Sequence, residues 1–173
     1  MIRFREHNSE VLYAEDPVVK VDRQDIDFLV KRAAQNPRKR IRLCAHKDTN
    51  DKLHEMLIVH ARDCYVRPHK HLAKSEAFHI IQGTVDVVLL DDSGKVVEVV
   101  PMGDYASGRK FYYRLADPFY HTLLIRSDWL VFHEITNGPF KRDDTIFAPW
   151  SPELDDVAGA KQFMGELERK VKS

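Results

Sequence analysis

The chain has 173 residues, enough to enclose a sizeable core within one domain. Apolar residues make up 43% and charged residues 31%, and 27 Lys and Arg balance 27 Asp and Glu, which speaks against nucleic acid as a partner because a phosphate-binding surface usually shows a basic excess. The N-terminus has no apolar run after its first charges, and no stretch approaches the roughly 18 apolar residues of a membrane span, so a cytoplasmic protein with no membrane partner is expected. In that compartment Cys44 and Cys64 are expected to be reduced, buried thiols.

In chain order, Val18 to Val21 reads as a short edge strand. Asp22 is a helix N-cap with Asp25 in the first turn, and Ile26, Leu29, Val30 and Ala33 form one apolar face. Asn36-Pro37 ends that helix, since proline disfavours helix in the residue before it. Arg38-Lys39-Arg40 and Arg42 follow, read as a solvated helix-to-strand connection; the other reading is an anion-binding edge.

From 41 to 135 the texture changes to short β-branched and aromatic runs: 41–46, 55–62, 64–69, 78–82, 84–90, 96–100, 111–115, 121–125 and 129–135. The breaks carry Asp, Asn, Gly and Pro. Many short strands at this spacing predict an all-β sandwich or barrel. Ser151-Pro152-Glu153 reads as a helix entry, and a later helix carries Ala160, Phe163, Met164, Leu167 and Val171 on one face, suited to core packing or a dimer contact. The expected organisation is an N-terminal extension over 1–40, a β-barrel over 41–138 and a C-terminal extension with an amphipathic helix over 139–173.

The chemistry concentrates in Arg67-Pro68-His69-Lys70-His71-Leu72-Ala73-Lys74-Ser75-Glu76. Residues two apart on a strand share a face, so His69 and His71 project together, and Glu76 opens the next strand. Imidazole and carboxylate suit Zn, Fe, Mn or Ni. His121 begins an apolar run and shares parity with Leu123 and Ile125; if Leu123 is core, His121 also points inward and is the fourth ligand. Arg67 has the parity of His69 and His71 and is a candidate for binding a carboxylate, phosphate or sugar hydroxyl, or else forms an ion pair with Glu134 or Glu76. Glu134, on a late strand, is a candidate general base or outer partner of the site. Lys74, in the connection beside the site, reads as reaching a ligand or facing solvent; the aromatics Tyr65, Tyr112, Tyr113, Phe119 and Tyr120 read equally as lining the mouth or as core, whereas His46, His54, His60, His79 and His133 read as surface or outer-sphere histidines.

His-x-His, four residues, Glu, six residues, Gly resembles the first cupin motif, matched by His69, His71, Glu76 and Gly83. The second motif is matched at His121, with Ala116, Pro118 and Ile125 where the family has Pro, Gly and Asn. Over residues 36–153, the stretches Met56-Leu57-Ile58, Tyr65 to His69, Leu89 to Gly94, Gly138-Pro139-Phe140 and Phe147 to Glu153 look like the WbuC-type cupin-fold metalloproteins. The resemblance implies a cupin-type double-stranded β-helix (jelly-roll) barrel with a short N-terminal and a C-terminal helix, and a homodimer. It also implies one divalent metal ion and tilts the reading of the small-molecule substrate towards a sugar or sugar-nucleotide derivative without fixing the reaction; a Lewis-acid metal on such a substrate would ease isomerase, epimerase or lyase chemistry. Two alternatives stand beside it, an Fe(II)-dependent dioxygenase of a small organic acid and a non-catalytic ligand sensor. A metal-free barrel whose histidines act directly as acids and bases is a third.

Overall fold

The computed structural model describes residues 1–172. Twelve strands and two helices appear among them: β1 (Phe4–Asn8), β2 (Val11–Ala14), α1 (Arg23–Gln35), β3 (Arg40–Cys44), β4 (Leu53–Ala61), β5 (His69–His71), β6 (Glu76–Gln82), β7 (Thr84–Leu90), β8 (Val96–Gly103), β9 (Tyr112–Leu115), β10 (Tyr120–Ile125), β11 (Trp129–Asn137), β12 (Thr145–Phe147) and α2 (Val157–Lys172).

The strands form two sheets. A seven-stranded sheet runs β1-β2-β3-β4-β11-β6-β9, and a five-stranded sheet runs β12-β5-β10-β7-β8. They make a mostly β two-sheet sandwich, not the closed barrel expected, since no strand ladder links the two sheets among the described residues. Inward positions of both sheets build one core of Phe78, Ile80, Val85, Val87, Met102, Leu123, Ile125, Leu130 and Phe132.

Both outer faces carry a helix. α1 lays Ile26, Leu29 and Ala33 on Leu12, Ile41, Leu43, Val59 and Val131, burying side chains worth about 1.5–3 kcal/mol each for the larger ones. It is capped as its sequence requires: Asp22 accepts from the Gln24 and Asp25 amides, and the Asp25 carboxylate accepts from the Asp22 and Ile2 amides. At its far end Asn36 donates to the carbonyls of Ser9 and Arg40, which ties the turn between β1 and β2 to the start of β3. α2 packs Leu167, Phe163 and Met164 on Val88, Leu90, Tyr120 and Leu124, so its stripe is core packing.

Three local expectations are corrected. Val18 to Val21 is not a strand; the N-terminal strands are β1 and β2, which only become strands by pairing with each other and with β3. The run at 64–69 contributes strand only from His69 onward. The helix start read at Ser151 fails because that segment is used elsewhere: Ser151 donates to the Ala148 carbonyl, Glu153 pairs with Arg67, and α2 begins at Val157.

Gly83 stands where the chain leaves β6 in one sheet and enters β7 in the other. Its φ of +89° and its closeness to Ser127 and the Trp129 carbonyl leave no room for a Cβ.

Candidate metal centre

The two sheets meet around four polar side chains. In the smaller sheet, His69 on β5 lies directly opposite His121 on β10, and His71 follows two residues on, on the same face. Glu76, the first residue of β6, comes from the larger sheet. One donor atom from each of His69, His71, Glu76 and His121 lies within 4.8 Å of all the others. Donors about 2.2 Å from a shared ion are at most about 4.4 Å apart, so little movement is needed to enclose a cation.

Each imidazole is oriented through its other nitrogen. His69 Nδ1 is 2.8 Å from the Arg67 carbonyl, His121 Nδ1 is 3.2 Å from the Phe119 carbonyl, and His71 Nδ1 is 3.1 Å from Thr145 Oγ1. The two carbonyls can only accept, so Nδ1 carries the proton in His69 and His121 and their Nε2 faces the centre. The carboxylate supplies both oxygens: Glu76 Oε2 is 3.1 Å from His71 Nε2 and Oε1 is 3.1 Å from His121 Nε2. Glu76 Oε1 and His121 Nε2 are buried and, despite that distance, make no hydrogen bond of acceptable geometry. Buried polar atoms are seldom left so, and a pair of orphaned donors pointing at one place is what a divalent cation satisfies. The residues fit the metal.

Electrostatics agree with this. Burial disfavours charge on His69, and with His121 adding to it, its pKa falls to about 3, leaving a neutral ring. Burial also opposes charge on His121, but the Glu76 carboxylate beside it outweighs burial and pushes its pKa up. Glu76, which burial alone would raise, is held well below the usual carboxylate range by the charge of His121 beside it and by the hydrogen bond with His71.

A cavity of about 770 Å³ opens onto these residues. Glu134 lines it from β11, one strand from Glu76, and makes no hydrogen bond among the described residues. Burial first and the Glu76 charge second push its carboxyl up from the usual range. Arg67 also lines the cavity, but its guanidinium is engaged by Glu153, by Ser151 Oγ at 3.1 Å and by the face of Phe147. The partner is thus Glu153, not Glu134 or Glu76. Lys74 reaches Asp144 at 3.2 Å. Tyr113 turns inward against Phe78, and its buried hydroxyl has no partner.

His46 and His54 are not surface residues. They are buried and stacked face to face, ring centres 4.1 Å apart, on the cavity wall. Within β4, His54 shares the face of Met56 and Ile58, and its stacking partner His46 lies across the 47–52 turn. His79 and His133 are register neighbours on the opposite face, away from the four-residue cluster.

A family model described as a domain of unknown function, DUF6016, matches residues 21–102. No curated protein matches the chain. Among solved structures, a protein from Shewanella oneidensis shares the fold, with a TM-score of 0.57 at 12% identity over 82% of this chain and 94% of that one. A sugar phosphate isomerase of the cupin superfamily from Silicibacter pomeroyi has a TM-score of 0.39 at 19% identity, over 51% and 52% of the two chains. Oxalate decarboxylase of Bacillus subtilis has 0.46 at 15%, over 68% and 30%. No helix among the described residues is long and apolar enough to cross a membrane.

Proposed function

We propose that this chain is a metal-dependent cupin in which His69, His71, Glu76 and His121 hold one divalent cation and Glu134 moves a proton on a small polar substrate, sugar-related in keeping with the WbuC-type resemblance. The observation that carries this reading is the convergence of four donors from two sheets, with His69 and His121 presenting Nε2 and a buried carboxylate oxygen unpaired between them. Three imidazoles and one carboxylate leave one or two positions for substrate in a five- or six-coordinate shell, which is the mark of a catalytic rather than a structural ion. A cation bound there would supply Lewis-acid polarisation of a substrate carbonyl or hydroxyl oxygen.

The chain's own residues do the rest. The cavity volume suits a monosaccharide-sized ligand. Glu134, with its carboxyl raised by burial, is a stronger base when ionised than an exposed glutamate, which suits removal and return of a carbon-bound proton in isomerisation or epimerisation. Arg67, tied to Glu153 and Ser151, holds the segment leading into His69 and offers the cavity its Phe147-stacked edge.

Elemental analysis tests the site. Wild-type protein should carry about one equivalent of Zn, Fe, Mn or Ni, and His69→Ala/His71→Ala should carry none. Equal metal in both would assign it elsewhere. Glu134→Gln should keep its metal and lose about 10²–10⁴-fold in turnover of any sugar substrate found; unchanged turnover removes Glu134 from the mechanism.

A further inference from the structure

The cavity extends well beyond the metal centre because the larger sheet is wider than the smaller one. β3 sends Ile41 and Leu43 into the α1 layer, so Arg40, Arg42 and Cys44 take the cavity face. The charges on this wall are nearly all accounted for. Glu10 pairs with Arg38 and with Arg40 at 3.0 Å. Arg67 pairs with Glu153, and Lys74 with Asp144. Arg42 differs: it lines the cavity, is exposed, and its guanidinium has no ion pair or hydrogen bond among the described residues. Its charge is felt by Glu134 and His46, both on the cavity wall.

We propose that Arg42 anchors an oxyanion at one end of a ligand whose other end reaches the metal centre. The proposal rests on the metal-cupin reading and names its substrate class: an extended molecule with a polar head and a phosphate or carboxylate tail. Planar guanidinium binds either oxyanion through two parallel hydrogen bonds. The strand order sets the scale. Arg42 lies on β3 and Glu76 on β6, with β4 and β11 between, and the strand registers set Arg42 level with Ile80, four residues along β6 from Glu76; the two positions on the one cavity wall are therefore roughly 14 Å apart across the sheet and roughly 13 Å apart along it, less the reach of the Arg42 side chain. A two-carbon dianion such as oxalate is too short to use both; a sugar phosphate or sugar acid is not.

Calorimetric titration of glucose 6-phosphate, glucuronate and glucose into wild-type and Arg42→Gln protein, each metal-free and zinc-loaded, tests this. Wild type should bind one or both anions at least tenfold more tightly than glucose, and Arg42→Gln should lose that preference while keeping its zinc. Preference for glucose 6-phosphate alone assigns a phosphate tail, and for glucuronate alone a carboxylate. Absence of anion preference in wild type, or its survival in Arg42→Gln, overturns the proposal. Failure to load zinc overturns the metal reading separately, and the metal-free titration still reports on Arg42.

Discussion

The space between the two sheets is one volume with two chemistries, and the same strands build both. β6 passes from Glu76 to Phe78 and Ile80, β10 from His121 to Leu123 and Ile125, and β11 from Thr136 and Glu134 to Phe132 and Leu130. One end is dry and aliphatic, closed by Val85 and Met102. The other holds three imidazoles, two carboxyls and the stacked His46–His54 pair around a cavity. The dry end stabilises the fold, and it can hold the polar end rigid because each ligand strand is anchored a few residues away in close-packed core.

The contrast can be broken by substitution. The largest stability effect belongs to the dry end: Phe132→Ala, a fully buried ring, should cost about 3–5 kcal/mol in urea unfolding. At the polar end the loss should fall on metal instead. His121→Ala should weaken metal binding by more than about 100-fold, since even an outer partner of a ligand is worth 10–100-fold, and should leave the metal-free protein folded by circular dichroism. If His121→Ala unfolds the metal-free protein as Phe132→Ala does, the division between the two ends is wrong.

Acidity sharpens the same point. The Glu76 carboxylate keeps a proton on His121 above the usual value of 6.5, whereas His69 is already neutral down to about 3. Metal must displace the His121 proton, so affinity should fall as pH falls through the raised His121 value, by up to about tenfold per unit. The same shift makes the His121 contribution to metal-free stability complete below 6.5 and lost as pH rises through its folded value. Zinc titrations in buffers of different ionisation enthalpy should show net proton release near neutrality, the His121 proton among those displaced; no release would mean that His121 is already neutral. The smallest effect is expected at Thr145→Val, which removes the oxygen beside His71 Nδ1 and should cost about tenfold in metal affinity with little change in unfolding.

The residues that meet at the centre follow from short-range rules. His69 and His71 share a face because they are two apart, and His121 points inward because Leu123 and Ile125 do. Helix α1 could be located from its cap and its 3.6-residue stripe. What lay beyond those rules depended on which strands become neighbours. β1 and β2 have no distinctive local pattern and exist because β3 offers an edge. β12, outside the expected β region, supplies Thr145 to His71.

Alternation along a strand is encoded in the sequence, so the shared face of His69 and His71, the inward side of His121 and much of the core could be read from it alone. Pairing between distant segments is not encoded locally, because backbone hydrogen bonds are the same for every residue and only burial selects among partners. Tertiary structure therefore decided that Arg67 turns to Glu153, that His46 stacks on His54, and that Arg42 stands over the cavity without a partner.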